Sequence, residues 1–150
     1  MFGTEEGSEL KEILTMSFHA KRENVRIVRA VVRNFLLLRG VFEQDIFDTE
    51  LALDEAVANV IEHTYKYDES KIIILTLIWK GDELEVLIRD FGPKVDPEKV
   101  KPRPLEELRE GGLGVYIIQK IFDEMYWKEI NAPGNLLYLR KTYRVPEKEK

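Results

Sequence analysis

The chain has 150 residues, 44% hydrophobic and 34% charged, the make-up of one folded, highly charged domain that can bury a core without staples. Zero cysteines exclude disulfides, thiolate metal sites and cysteine nucleophiles, and two histidines argue against a multi-histidine metal centre. With 23 basic against 28 acidic residues the net charge is -5, which speaks against non-specific nucleic-acid binding but not against a small anion held by backbone N–H groups.

No apolar run approaches the ~20 residues needed to cross a bilayer, and the acidic start MFGTEEGSEL lacks a signal-peptide stretch, so a cytoplasmic protein with no membrane partner is expected. Residues 1–12 read as a flexible N-terminus and 146–150 as a flexible tail, leaving 13–145 as one domain. In 13–18, ILTMSF alternates loosely, which suits a short edge strand. Over 20–39, Val25, Val28, Val32 and Phe35 recur at helical spacing, with Gly40 as the stop. A second helix is expected over 43–65, with Leu53, Ala56, Val57 and Val60 as its apolar stripe.

The period then changes. KIIILTLIW (71–79) and ELEVLIRD (83–90) flank Lys80-Gly81-Asp82 and read as a hairpin. Both faces of the first strand are apolar, so it is expected to be central. From 91 to 114 the chain is rich in proline and glycine, a functional or disordered loop by its length. VYIIQKIFDEM reads as a helix, YWKEI as a strand, NAPGN as a turn and LLYLRKTY as the last strand. The order predicts an α+β fold, a two-layer sandwich with helices on one face of a mixed, mostly antiparallel sheet.

Three places break the packing pattern. Glu55 and Asn59, four apart, share a helix face with Glu62 a turn further on: a carboxylate suited to taking a proton beside an amide suited to a hard cation such as Mg²⁺, or simply a polar stripe facing solvent. Asp90-Phe91-Gly92 ends a buried-looking strand; its carboxylate could accept from an exocyclic amine, or the trio could only end the strand. Gly111-Gly112-Leu113-Gly114 opens into a helix, where N–H groups and the dipole favour phosphate, though a flexible loop looks the same.

Taken in order, these elements resemble the GHKL ATPase superfamily of sensor histidine kinases, gyrase and MutL. Within it they are closest to the anti-sigma-factor serine kinases of the RsbW and SpoIIAB kind. The resemblance spans about residues 13–143 and rests on VRIVRAVVRNFLLLRG, LALDEAVANVIEH, RDFGPKVDP and GGLGVYIIQKIFDEMYW. It implies the Bergerat-type ATP-binding fold, Glu55 as general base, Asn59 as Mg²⁺ ligand, Asp90 on the adenine amino group and Gly92 beneath the ring. Gly112, Leu113 and Gly114 would meet the phosphates, and a lid would run over about 93–113. The implied function is an anti-sigma factor that uses ATP and Mg²⁺ to phosphorylate a serine or threonine of a STAS-type anti-anti-sigma factor and sequesters a sigma factor, commonly as a homodimer. The alternative is a nucleotide-gated binding module with little or no kinase activity. A stand-alone histidine-kinase-type ATPase is disfavoured by the RDFGPKVDP motif.

Two positions depart from the family's pattern. Lys94 and Val95 follow Pro93 where a proline or an aromatic often stands. Gly134-Asn135-Leu136-Leu137 replaces a usual Gly-Thr-Thr, which removes a hydroxyl expected near adenine and implies weaker adenine binding. Arg22, Arg26, Arg29 and Arg33 form a basic stripe on the first helix, either a solvated face or a docking surface for an acidic partner. Arg109 could reach a phosphate or a partner, or be an ordinary loop charge. His63 reads as part of the helix-end motif rather than as a phospho-acceptor, and Trp79 and Trp127 as core aromatics.

Overall fold

Buried hydrophobic residues at every second position of the hairpin set the plan of the molecule, because one side of a sheet must be buried against another layer. The computed structural model describes residues 10–96 and 113–146. Strand β1 (Glu12–His19) leads to helices α1 (Arg22–Leu37) and α2 (Glu43–Asn59), then to the hairpin β2 (Ile72–Lys80) and β3 (Glu83–Asp90). Helix α3 (Leu113–Ile121), β4 (Glu124–Trp127) and β5 (Asn135–Thr142) follow. The sheet order is β1-β2-β3-β5-β4, and every pairing among the described residues is antiparallel. The α+β two-layer expectation holds, with β1 at an edge as its loose alternation implied.

The core lies between the helices and one face of the sheet. Ile73, Leu75 and Leu77 of β2, Leu84, Val86 and Ile88 of β3 and Leu139 of β5 are essentially excluded from solvent. They share a cluster with Val28 and Val32 of α1, Leu53, Ala56 and Val57 of α2, and Ile118 of α3. The expected stripes of α1 and α2 are therefore the faces buried, and Trp79 joins them while Trp127 packs partly buried against the cluster. Strand β2 is interior, yet its second face, with Ile72, Ile74 and Ile78, is only half-buried: among the described residues no layer covers that side. Apolar residues on both faces of a strand thus fixed its place in the sheet and not the number of layers.

Two helix ends differ from the sequence reading. The helix expected to run to 65 leaves α-geometry after Asn59 and finishes in a π-helical turn, Val60–Thr64, closed by Tyr65 N–H donating to Val60 O at 2.8 Å. Lys66 and Tyr67 then take left-handed φ of 53° and 67°, which stops any continuation. The third helix ends at Ile121 rather than 125. Asp123 N–H donates to Arg140 O and Glu124–Trp127 pairs with β5, so the free edge of β5 draws residues 124–127 into the sheet. No helix among the described residues is long and apolar enough to cross a membrane.

Candidate functional site

Helix α2 supplies the acid and the amide. The i, i+4 spacing sets Glu55 and Asn59 on one face, both half-buried, at the end where α3 begins. Gly114, in the first turn of α3, lies so close that a Cβ there would stand 2.8 Å from Glu55 Oε1 and 3.7 Å from Asn59 Oδ1. Two of the three places named in the sequence therefore meet here: the carboxylate and amide of α2, and a helix N-terminus with its N–H groups. Burial is the main cause holding the Glu55 carboxyl above the ordinary glutamate value, with Asp54 and Glu62 adding to it and Arg22 opposing it.

The third component is the turn after β3. Asp90 is 3% exposed, and its Oδ1 accepts from Gly92 N–H at 3.0 Å and from Asn135 Nδ2 at 2.9 Å. Tyr65 fixes the same turn from the side: its hydroxyl accepts from Phe91 N–H at 2.8 Å and donates to Ile72 O at 2.6 Å. Gly92 is pressed on the π-helical turn, where a Cβ would sit 2.5 Å from Thr64 Cγ2. Gly134, at φ 88°, brings β5 so near that a Cβ would lie 2.1 Å from Asp90 O. Between α2, β3 and α3 lies a cavity of about 470 Å³ lined by Asn59, His63, Asp90, Val115, Ile118 and Trp127 among others; Gly92, Tyr65 and Asn135 shape the Asp90 turn without lining it. That volume, mostly apolar with a few convergent polar groups, suits a small organic ligand.

Asn135, Tyr65, Thr64 and Gly134 were not among the residues singled out as a site. Asn135 carried a signal only as a departure from Gly-Thr-Thr, and Gly134 only as a turn residue. Asn59 is not engaged by any other described side chain, so its amide oxygen can serve a cation. Among the described residues no three His, Asp or Glu side chains cluster as a metal site. A Mg²⁺ held by Asn59 would thus take its other ligands from phosphates and water, its usual preference.

The basic stripe proves mostly paired. Arg22 bonds Glu62 at 2.7 Å, Arg29 pairs with Asp54, and Arg33 bridges Glu43 at 2.8 Å and Glu50 at 2.9 Å. These pairs join α1 to α2 and the π-helical turn. Arg26 alone of the four has no ion-pair partner among the described residues. It lines, with Arg22, Arg29, Glu55 and Glu62, a second cavity of about 740 Å³ between the two helices. Glu55 borders this second cavity, whereas Asn59 faces the first. Arg109 and Gly112, and nearly all of the expected lid, lie outside the described residues, as does the side chain of Leu113.

Residues 18–141 match the family described as histidine kinase-like ATPase domain. The serine-protein kinase RsbW of Bacillus cereus is 34% identical over 122 residues, covering 76% of this chain and 76% of that one. RsbW of Oceanobacillus iheyensis is 28% identical over 144 residues, covering 91% and 89%. Among solved structures, the RsbU and RsbW domains of a Mycobacterium tuberculosis protein superpose with a TM-score of 0.65 at 22% identity, over 90% of this chain and 33% of that longer one. The SiaB–SiaC complex of Pseudomonas aeruginosa gives 0.61 at 18% identity, over 85% and 87%. At such identities these two structures speak to the fold.

Proposed function

The chain belongs to the histidine kinase-like ATPase domain family, and from that premise we propose that it is an ATP-dependent protein serine/threonine kinase of the anti-sigma-factor type. The observation that carries this reading is the meeting of Glu55, Asn59 and the N-terminus of α3 beside a cavity that ends on Asp90.

In this reading the adenine amino group donates to Asp90 in the 470 Å³ cavity, and the phosphates run toward Asn59 and Gly114. N–H groups of the first turn of α3 hold phosphate oxygens, and the preorganised dipole stabilises the charge that builds on transfer. Asn59 would hold Mg²⁺, which when bound neutralises phosphate charge. Glu55 takes the proton of the acceptor hydroxyl as its oxygen bonds to the γ-phosphorus and the bond to the ADP oxygen breaks. The acceptor side chain enters through the cleft between α1 and α2, which Glu55 borders, so phosphate and acceptor approach the carboxylate from opposite sides.

The acceptor protein is an anti-anti-sigma factor of the STAS type, the sequestered partner a sigma factor, the working unit a homodimer, and the setting the cytoplasm. Residues 93–113 act as the lid, Gly112 and Leu113 as phosphate contacts, and Arg109 as a further phosphate or partner contact. Arg26 offers the partner the unpaired charge of the stripe. Phosphorylation adds about 1.5–2 negative charges to the partner surface and weakens its hold.

Phosphoryl transfer to a candidate STAS protein, followed with radiolabelled ATP for the unmodified chain and Glu55→Ala, tests the reading. Transfer is expected to fall by about 10²–10⁴ while ATP binding persists. ATP and partner binding with no transfer by the unmodified chain would replace the kinase with a nucleotide-gated binding module.

A further inference from the structure

Asn135 opens β5 directly across the ladder from Asp90 and is 6% exposed. Its amide has one orientation that satisfies every neighbour. Asp90 Oδ1 and Pro93 O are both acceptors, so Nδ2 faces them, at 2.9 Å each, and Val95 N–H is a donor, so Oδ1 faces it, at 2.8 Å. A flipped amide would set oxygen against two oxygens and NH₂ against N–H. The backbone on both sides is held as well: Arg89 Nη1 donates to Asp90 O at 2.6 Å and reaches Asn135 O at 3.4 Å.

One consequence falls on Asp90. Its Oδ1 is filled by two donors, Asn135 Nδ2 and Gly92 N–H, so Oδ2 is the oxygen left to meet a ligand. Resting on the nucleotide site proposed above, we propose that Asn135 is a specificity-determining positioning residue: by pinning Oδ1 it presents Oδ2 as a fixed acceptor and selects 6-aminopurine over 6-oxopurine nucleotides. An exocyclic amine donates to such an oxygen, whereas O6 of a 6-oxopurine turns lone pairs toward it. Only a carboxylate free to rotate could turn instead to the N1–H of a 6-oxopurine, and Asn135 denies that rotation. The same amide ties Pro93 and Val95 to the adenine-reading carboxylate, so the backbone leaving the site is set by the same side chain. The hydroxyl missing from this position is thus replaced by a group that makes three hydrogen bonds.

The test is the ratio of ITP to ATP dissociation constants, each with Mg²⁺, measured calorimetrically on the full chain and on Asn135→Asp and Asn135→Ala. Asn135→Asp keeps the size of the side chain and the acceptor for Val95 N–H but removes both donors, which separates the hold on Asp90 from the hold on Val95. The unmodified chain is expected to prefer ATP by at least about tenfold, and both variants to lose about tenfold of that preference. Should Asn135→Asp fail to fold by circular dichroism, the smaller Asn135→Ala reads the same ratio. Variants that bind ATP more weakly at an unchanged ratio would reduce Asn135 to a structural residue, and an unmodified chain that binds ATP and ITP equally would overturn the role with the site intact. Binding of neither nucleotide would overturn the site reading and this role with it.

Discussion

Glu55 sets chemistry against stability. Its carboxyl is held above the ordinary glutamate value chiefly by burial, then by Asp54 and Glu62, so ionising it costs more in the folded chain than in the unfolded one. A group of this sign contributes stability below its unfolded value and loses it as pH rises through the folded one. Glu55→Gln is therefore expected to raise the melting midpoint at neutral pH and to leave it unchanged at a pH below the glutamate range; melts at the two pH values measure this. With Glu55 as the base of the proposed mechanism, the same shift is expected to place the acid limb of the kinase rate profile above the ordinary glutamate value, because only an ionised carboxylate accepts a proton. At Asn59 the expectation is narrower. Asn59→Ala should remove most of the Mg²⁺-dependent part of the nucleotide-induced shift in midpoint and little of the part seen with ADP alone. An unaltered Mg²⁺ dependence would take the cation away from this residue.

At the scale of elements, the candidate site is made where four chain segments come together: the end of α2, the start of α3, the turn after β3 and, next to that turn, the start of β5. Gly134 shows how tightly the last two are joined. With φ 88° and no room for a Cβ against Asp90 O, Gly134→Ala must strain its own backbone and push the Asp90 turn away. A loss of about 1–3 kcal/mol in denaturant unfolding is expected, along with weaker ATP binding. The paired arginines make a contrast between neighbours on α1. Arg29→Ala removes a link to Asp54 of α2 and should lower stability slightly, by up to about 1 kcal/mol, as partly exposed pairs do. Arg26→Ala breaks no pair and should leave stability unchanged while slowing phosphorylation of the partner, most at low salt. Equal effects of the two substitutions on partner phosphorylation would mean that the stripe acts through helix packing.

For the whole molecule, binding to the folded state alone raises stability by mass action. ATP with Mg²⁺ at 100 times its dissociation constant adds about 2.7 kcal/mol, a rise of several degrees for a chain of this size. Much of this architecture was legible in the sequence, because hydrophobic period is a local signal. Strides of three and four marked α1 and α2, the two β-rich runs either side of Lys80-Gly81-Asp82 announced the hairpin, and most of the helix stripes so identified are buried. Glu55, Asn59, Asp90 and Gly114 stood out in the sequence as breaks in the packing pattern, and it was the resemblance, not the local chemistry, that implied their roles. What the sequence could not supply were relations between distant segments. Asn135 looked like a missing hydroxyl until the ladder set it opposite Asp90; the arginine stripe looked free until α2 brought Asp54, Glu43 and Glu50 against it. The helix expected through 125 gave way to β4 because β5 offered an open edge, a competition no local pattern records. The order of residues thus determined which elements form and which groups can do chemistry. Tertiary structure alone decided which of those groups meet, because hydrogen bonds and ion pairs depend on distances of a few ångströms that only the packed sheet and helices set.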